Sequence, residues 1–227
     1  MKSVRVLLVD DQQMIRTGFR LILESEPGIT IVGEAPDGAI AVAQTLALHP
    51  DVVLMDVRMP GMDGVEATRR IVESGSTSRV IMLTTFDLDR HILDALRAGA
   101  SGFLVKDGPA DSLMEAVRSV AAGDAILSPR VTRRLLDRFA RLSRPNAALV
   151  PTRLDHLTAR EVDVLRALSR GLSNEEIGRE LNVSRSTVKT HIAHILEKCH
   201  LRDRVQAVIF AYDTGLAVPA SDTDTVH

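Results

Sequence analysis

Five short apolar runs, each followed by a longer amphipathic stretch, restrict the fold of this chain more than any other feature. The apolar runs are Val4–Val9, Thr30–Val32, Val52–Met55, Val80–Leu83 and Gly102–Val105. The stretches with helical spacing are Met14–Glu26, Ala39–Leu48, Gly64–Ser74, Asp89–Ala98 and Ala110–Ala121. Strands that alternate with helices in this way form a parallel sheet with helices on both faces. The pattern predicts a doubly wound α/β domain with a five-stranded parallel sheet over residues 1–123.

The alternation ends after Gly123, where a linker is predicted over residues 124–153. Ser128-Pro129 is typical of a helix start, since Pro is favoured at the first helical position. The apolar spacing that follows is accompanied by five arginines, Arg130, Arg133, Arg134, Arg138 and Arg141. Arg144-Pro145-Asn146 then interrupts the pattern. We therefore expect a basic amphipathic helix followed by a tether.

A small all-α domain of four helices is predicted over residues 154–216. Its first two helices begin at Thr158-Ala159-Arg160-Glu161 and Ser173-Asn174-Glu175-Glu176, which have the spacing of capping boxes. The third and fourth predicted helices are Arg185–Lys198 and Asp203–Tyr212. Residues 217–227 are expected to form a disordered tail.

Chemically complementary side chains follow the apolar runs of the first domain. They are Asp10, Asp11, Asp56, Thr84 and Lys106. Because the carboxyl ends of parallel strands meet at one edge of the sheet, we expect these side chains to lie together. Three carboxylates repel one another unless a cation intervenes, and an oxygen-only ligand set suits Mg²⁺. A carboxylate can accept a phosphoryl group while a metal and a lysine neutralise its oxygens, so the pattern predicts a phosphoryl-accepting site.

The sequence around these positions resembles the receiver domains of bacterial response regulators. The resemblance covers Met1 to about Gly123 and rests on Val6-Leu7-Leu8-Val9-Asp10-Asp11, Met55-Asp56-Val57-Arg58-Met59-Pro60-Gly61-Met62-Asp63-Gly64, Leu83-Thr84-Thr85 and Gly102-Phe103-Leu104-Val105-Lys106-Asp107. It implies a CheY-like, flavodoxin-like fold in which Asp56 accepts the phosphoryl group. Within the longest segment, Asp63-Gly64 is interpreted as an ordinary turn.

The same resemblance implies a role for each remaining position of the site. The Mg²⁺ ligands would be Asp10, Asp11, Asp56 and the backbone carbonyl of Arg58. Thr84 and Phe103 resemble a switch pair, in which the hydroxyl closes on the phosphate and the aromatic ring turns inward. Such a switch is a local charge event that biases a bistable packing arrangement.

The third predicted helix of the second domain has one apolar and one polar face. The apolar positions are Val188, Ile192, Ile195, Leu196 and Cys199. The polar face carries Ser186, Lys189, Thr190 and Ala193, flanked by His191, His194 and Lys198. Two capped helices followed by a helix of this kind fit a helix-turn-helix whose second element enters the major groove. However, residues 151–219 contain ten basic against nine acidic residues, far from strongly basic. The residues alone leave groove binding and a plain helical interaction bundle equally open.

Four segments of this domain resemble the LuxR-type DNA-binding domain. They are Leu157-Thr158-Ala159-Arg160-Glu161, Gly171-Leu172-Ser173-Asn174-Glu175-Glu176-Ile177, Leu181-Asn182-Val183-Ser184 and Thr187-Val188-Lys189-Thr190-His191-Ile192. Together with the receiver resemblance, they indicate the NarL/FixJ family of response regulators. In that family the polar-face positions meet the groove and the last helix dimerises, which implies dimer contacts by Val205, Val208, Ile209 and Tyr212. Ala193 departs from some relatives, because it offers only an apolar contact to a base.

These features predict a transcription regulator of a two-component system. The expected partners are a histidine kinase as phosphodonor, double-stranded promoter DNA and a second copy of the chain, with RNA polymerase as a further candidate. No run approaches the ~18 apolar residues of a membrane span, and the single cysteine excludes an internal disulfide. We therefore expect a cytoplasmic protein without a membrane partner.

Two other functions compete with this interpretation. A phosphatase of the haloacid dehalogenase type also uses a strand-end Asp and Mg²⁺, but it needs a second Asp two residues after its nucleophile. Gln12 and Arg58 occupy those positions here. We expect a phosphoryl acceptor with self-dephosphorylation rather than a turnover enzyme. The second competitor is a regulator that binds DNA regardless of phosphorylation or works mainly through protein contacts.

Overall fold

The structure is a computed structural model that describes residues 3–84, 92–123 and 154–217. The chain divides into two compact units, Met1–Ser128 and Pro129–His227. Three predicted segments lie wholly or partly outside the described residues. They are the linker helix with its tether, the tail beyond residue 217, and the start of the helix predicted over Asp89–Ala98.

Strands and helices alternate in the described part of the first unit. The strands are β1 (Val4–Val9), β2 (Ile29–Ala35), β3 (Val52–Asp56), β4 (Arg79–Thr84) and β5 (Gly102–Val105). The helices are α1 (Gln13–Glu24), α2 (Gly38–Leu48), α3 (Gly64–Glu73), α4 (Ile92–Arg97) and α5 (Ala110–Ala121). All neighbouring strands are parallel, in the order β2-β1-β3-β4-β5. The predicted doubly wound α/β fold is confirmed.

Helices cover the sheet on both faces, which explains why its strands are continuous apolar runs. On one face, strand residues such as Leu8, Leu54 and Leu83 pack with residues of α1 and α5 in a single buried cluster. On the other face, the sulfur of Met82 lies 3.5 Å from the Thr68 hydroxyl of α3. Because all strands are parallel, their carboxyl ends lie at the same edge of the sheet.

Strand β2 is longer than the sequence predicts. The apolar run ends at Val32, whereas the strand continues to Ala35 through Gly33 and Glu34. Glu34 is tolerated there because Arg16 and Arg20 of α1 both pair with its carboxylate, at 3.0 and 2.7 Å. A charged residue thus extends the ladder with β1, where Leu8 pairs with Glu34.

Four helices form the described part of the second unit. They are α6 (Ala159–Ser169), α7 (Asn174–Leu181), α8 (Arg185–Lys198) and α9 (Arg204–Asp213). Both predicted capping boxes are present, Thr158 with Glu161 and Ser173 with Glu176. The buried core includes Val164, Leu165, Leu168, Ile177, Val188, Ile195, Ala207 and Ala211. The predicted all-α domain is confirmed.

The turn between α7 and α8 depends on two small or permissive residues. Asn182 ends α7 in the left-handed region with φ 59°, a conformation that Asn adopts more readily than most residues. Gly178 lies under the turn, where a Cβ would approach the Val183 carbonyl oxygen to 2.8 Å. The turn therefore packs directly on α7, which holds the two helices close together.

Candidate functional site

An acidic site lies at the carboxyl edge of the sheet. Asp10 follows β1 and Asp56 ends β3, and both are almost fully buried. Ligand oxygens of Asp10, the exposed Asp11 and Asp56 lie within 4.8 Å of one another. The Lys106 Nζ, just beyond β5, lies 2.6 Å from Asp10 Oδ2 and 2.9 Å from Asp56 Oδ2. The structure brings these four sequence-predicted residues into one cluster.

Burial and mutual repulsion govern the electrostatics of this cluster. The pKa of Asp56 is raised because burial penalises the carboxylate and Asp10 repels it, although Lys106 opposes both effects. Burial acts to lower the pKa of Lys106, but its hydrogen bonds to Asp10 and Asp56 raise it above the usual value. The cluster holds three carboxylates and Lys106 contacts two of them, so a further cation is favoured there. The oxygen-only donor set fits Mg²⁺.

The remaining predicted residues of the first unit surround Asp56. The Arg58 backbone N–H lies 3.4 Å from Asp56 Oδ1, a long contact. The role of its carbonyl as a metal ligand stays a prediction. Leu83 pairs with Asp56 across β3 and β4, so Thr84 lies one residue beyond the acceptor. The Thr84 carbonyl accepts the Lys106 N–H at 2.8 Å, which holds the β5–α5 connection against β4.

Thr84 and Phe103 lie on the same face of adjacent strands. Phe103 pairs with Met82, and side chains two residues apart on one strand share a face, which places Phe103 diagonally from Thr84. Both are buried, at 8% exposed for Thr84 and 2% for Phe103. The ring of Phe103 is buried in this structure, and its part in the switch stays a prediction.

Gly64 is a site residue that sequence reasoning missed. Asp63-Gly64 is more than an ordinary turn, because Asp63 Oδ1 caps α3 by accepting the Glu66 N–H at 2.8 Å. The Gly64 N–H donates to the Val57 carbonyl at 3.0 Å. A Cβ on Gly64 would approach the Asp56 carbonyl oxygen to 2.0 Å. The available signal was the position of this glycine eight residues after the acceptor, where α3 must return to the strand end.

Helix α8 presents the predicted polar face to solvent. Ser186, Lys189, Thr190 and Ala193 are exposed, His191 is half-buried, and Val188 and Ile195 on the opposite face are buried. The Ser184 hydroxyl caps α8 by accepting the Thr187 N–H at 3.1 Å. A capped helix with an exposed polar face and a buried apolar face has the form of a recognition helix.

Two basic side chains of α8, Lys198 and His194, lie close to the carboxylate of Glu161 in α6. Lys198 Nζ contacts both carboxylate oxygens of Glu161, at 2.9 and 2.7 Å. His194 Nδ1 lies 3.8 Å from Glu161 Oε1. Burial acts to raise the pKa of Glu161, but Lys198 and the hydrogen bonds from Thr158 lower it to about 2. Lys198 is thus neutralised within the domain, and the DNA contact predicted for His194 stays a prediction.

The residues predicted for dimer contacts are largely covered. Val205 is 1% exposed and Ile209 and Tyr212 are 6% exposed, while Val208 is half-buried. The Tyr212 hydroxyl donates to the Ser169 carbonyl at 3.1 Å, and burial raises the pKa of this phenol. Dimer contacts through Val205, Ile209 and Tyr212 require a rearrangement that uncovers these side chains, and the role of all four residues stays a prediction.

Comparison with known proteins identifies a family for each of the two domains. Residues 6–118 match the response regulator receiver domain, and residues 155–211 match the luxR family of bacterial regulatory proteins. The chain is 41% identical to the transcriptional regulatory protein LiaR of Bacillus subtilis (strain 168), over 94% of this chain and 99% of that protein. It is 36% identical to the nitrate/nitrite response regulator protein NarL of Escherichia coli (strain K12), over 91% and 94% of the two chains.

A solved structure of another response regulator is also similar to this chain. The response regulator ChrA of a heme-sensing two-component system is similar at a TM-score of 0.53 and 39% identity, over 96% of this chain and 100% of that chain. Fold and site thus define a two-component response regulator. More narrowly, the chain belongs to the NarL-type response regulators, which join a receiver domain to a LuxR-type helix-turn-helix domain that binds DNA and regulates transcription. Among the described residues, no helix is long and apolar enough to cross a membrane.

Proposed function

We propose that a partner histidine kinase phosphorylates Asp56 and that this modification controls dimerisation and sequence-specific binding of promoter DNA. The observation that carries the proposal is the contact of one buried lysine, Lys106, with both Asp10 and Asp56 at the strand edge. A structural salt bridge needs one carboxylate, whereas a phosphoryl-accepting site needs an acceptor, a metal-binding carboxylate and a cation. Residues of the type needed for all three roles lie within one cluster, which supports the proposal.

The acceptor chemistry follows from the groups present. A carboxylate oxygen of Asp56 attacks the phosphorus of a phosphohistidine, and the P–N bond breaks with its electron pair going to the ring nitrogen. The ring, already protonated on its other nitrogen, leaves as neutral imidazole. The product is an acyl phosphate on Asp56. Lys106 is held beside the acceptor and would exchange its carboxylate contact for a phosphoryl oxygen. Catalysis is then a matter of positioning and charge neutralisation.

The metal would be held by Asp10, Asp11, Asp56 and the Arg58 carbonyl. When bound, Mg²⁺ supplies neutralisation of phosphoryl oxygens and of the carboxylates themselves. Asp10 is oriented for this role, because its Oδ1 accepts the Gln12 N–H at 2.9 Å. Hydrolysis of the acyl phosphate by water resets the site, so the protein is a phosphoryl acceptor with self-dephosphorylation and not a turnover enzyme.

The output is DNA binding by paired copies. Thr84 and Phe103 respond to the phosphate, and the second unit reads the major groove with Ser186, Lys189, Thr190 and Ala193, assisted by His191 and His194. A single reader of this kind is nearly neutral, and two linked readers gain affinity through effective concentration. A homodimer on paired half-sites, contacting RNA polymerase in the cytoplasm, is the active form that we propose.

A phosphotransfer experiment tests the acceptor assignment. The full chain is incubated with MgCl₂ and phosphoramidate, whose P–N bond resembles that of phosphohistidine, and bound phosphate is measured by intact-protein mass. We expect one phosphoryl group on the parent and none on Asp56→Asn. Asp63→Asn is the matched control, because Asn also caps helices well, and it should be modified as the parent is. Modification of Asp56→Asn at the parental level would overturn the assignment.

A further inference from the structure

A mostly buried arginine next to the acidic cluster, Arg16, contacts the backbone at the end of β1, where Asp10 of the cluster lies. Arg16 of α1 has a side chain that is only 13% exposed. Its Nη1 donates to the backbone carbonyl of Asp10 at 2.7 Å, and its Nε donates to Glu34 Oε2 at 3.0 Å. A guanidinium can make both contacts at once because its donors form a rigid fork. Arg16 therefore ties the end of β1 to β2.

The other polar groups of Asp10 are also engaged, which makes this backbone contact decisive for the loop. The Asp10 N–H donates to the Ala35 carbonyl at 3.1 Å. The two carboxylate oxygens meet the Gln12 N–H and Lys106. The chain turns from β1 to α1 within three residues at this point, and Asp11 projects from the turn. The position of the Asp10 carbonyl thus sets where both carboxylates lie.

Glu34 makes the arginine compatible with a cation site. Burial acts to raise the pKa of Glu34, but hydrogen bonds from Arg20 and Arg16 lower it, so the carboxylate is charged. Its charge compensates that of Arg16, which would otherwise repel a divalent cation nearby. Glu34 is itself anchored, because its backbone carbonyl accepts the side-chain amide of Gln44 of α2 at 2.8 Å.

We propose that Arg16 is a positioning residue for the divalent cation, acting through the Asp10 backbone and not by touching the ion. The proposal rests on the Mg²⁺ site of the proposed function. Mg²⁺ demands near-ideal octahedral geometry and tolerates displaced ligands poorly. Residues that hold metal ligands in place typically contribute about 10–100-fold to metal affinity. We expect an effect of this size when the fork of Arg16 is removed.

Arg20 supplies a matched control on the same helix. It lies one turn after Arg16 and pairs with the same carboxylate, at 2.7 Å, and with Glu24 at 2.8 Å. Arg16→Gln and Arg20→Gln each remove one positive charge and one partner of Glu34. They differ in the contact with the Asp10 carbonyl. Charge alone predicts tighter cation binding in both variants, so weaker binding in one identifies a geometric effect.

The experiment is an MgCl₂ titration of the ¹⁵N-labelled full chain, followed by the amide shifts of Asp10 to Gln13. We expect the Kd for Mg²⁺ to rise about tenfold or more in Arg16→Gln and to stay within about twofold of the parent in Arg20→Gln. Arg16→Lys keeps the charge but cannot contact both the Asp10 carbonyl oxygen and the Glu34 carboxylate, so it should also weaken Mg²⁺ binding. This variant tests the positioning role if Arg16→Gln does not fold.

The outcomes separate this inference from the function on which it rests. Equal Kd values in the parent, Arg20→Gln and the folded Arg16 variants would overturn the positioning role and leave the metal site intact. A parent chain whose shifts do not respond to MgCl₂, or respond equally after Asp11→Asn, would overturn the metal site itself.

Discussion

At the scale of single residues, charge has two different uses in the second unit. Lys189 is exposed on the polar face of α8, whereas Lys198 on the same helix is held by the buried carboxylate of Glu161. Both are basic residues of a recognition helix, and spacing alone does not distinguish them. The contact between Lys198 and Glu161 joins residues 37 positions apart, so it depends on how α6 packs against α8.

This difference predicts different salt dependence of DNA binding for two lysine variants. A lysine that contacts a DNA phosphate releases counterions on binding. Its loss makes the negative slope of log K against log salt concentration shallower by about one. We expect this reduction for Lys189→Ala and an unchanged slope for Lys198→Ala. The measurement is DNA affinity over a range of NaCl concentrations. Equal reductions in both variants would show that Lys198 also contacts DNA.

Glu161 predicts a pH-dependent stability of the second unit. Its pKa is about 2 in the folded chain against a usual value of 4.5, so its stabilisation is fully present above pH 4.5 and is lost as the pH falls towards 2. We expect about 2 kcal/mol, allowing for screening at the exposed Lys198. Glu161→Gln should be less stable than the parent by this amount at neutral pH and equally stable near the acid limit.

The chain offers a local probe for this comparison. Tyr212 is its single tyrosine and it has no tryptophan, so intrinsic fluorescence during urea unfolding reports on the second unit. Glu176→Gln is the control, since Glu176 has the same role in the other capping box and its pKa is lowered chiefly by the hydrogen bonds from Ser173. A parent–variant difference for Glu161→Gln that does not change with pH would contradict this account.

At the scale of elements, helices are placed by close approaches that only small residues allow. Gly64 lets α3 start directly beside the acceptor strand. Gly64→Ala should destabilise the chain by roughly 1–3 kcal/mol, because backbone must move to admit the methyl group. Gly18→Ala in α1 is the control, since nothing lies within 4 Å of its Cβ position, and it should stabilise by about 0.5–1 kcal/mol. Thermal unfolding followed by circular dichroism measures both, and similar effects would contradict the steric argument.

The sequence predicted the bounds of helices and strands well where apolar residues recur with the period of that helix or strand. The predicted bounds of α8 coincide with the observed helix, because its caps and apolar spacing agree. The predicted end of β2 was wrong, since Glu34 interrupts the apolar pattern and its carboxylate is paired by arginines that α1 brings from elsewhere in the sequence. The acidic cluster was predictable because parallel strands share an edge, but the bridging position of Lys106 and the support from Arg16 required tertiary structure.

At the scale of the whole molecule, the two units divide the work between chemistry and recognition. The first has an acidic cluster for which we propose phosphoryl chemistry. The second has an exposed polar helix within residues 151–219, which contain ten basic and nine acidic residues. Three of the four predicted dimer residues of α9 are buried, and Val208 is half-buried. Under the proposed function, phosphorylation therefore has to cause a change that exposes these side chains, and we expect a monomer to bind DNA weakly.

The most direct test measures occupancy of one DNA site with and without phosphodonor. The site is selected from random sequence with the full chain, and footprinting is done with MgCl₂ in the presence or absence of phosphoramidate. We predict that phosphodonor increases the affinity of the parent by about tenfold or more and does not change that of Asp56→Asn. Equal occupancy of the parent under both conditions, with Asp56 shown to be phosphorylated, would contradict the account.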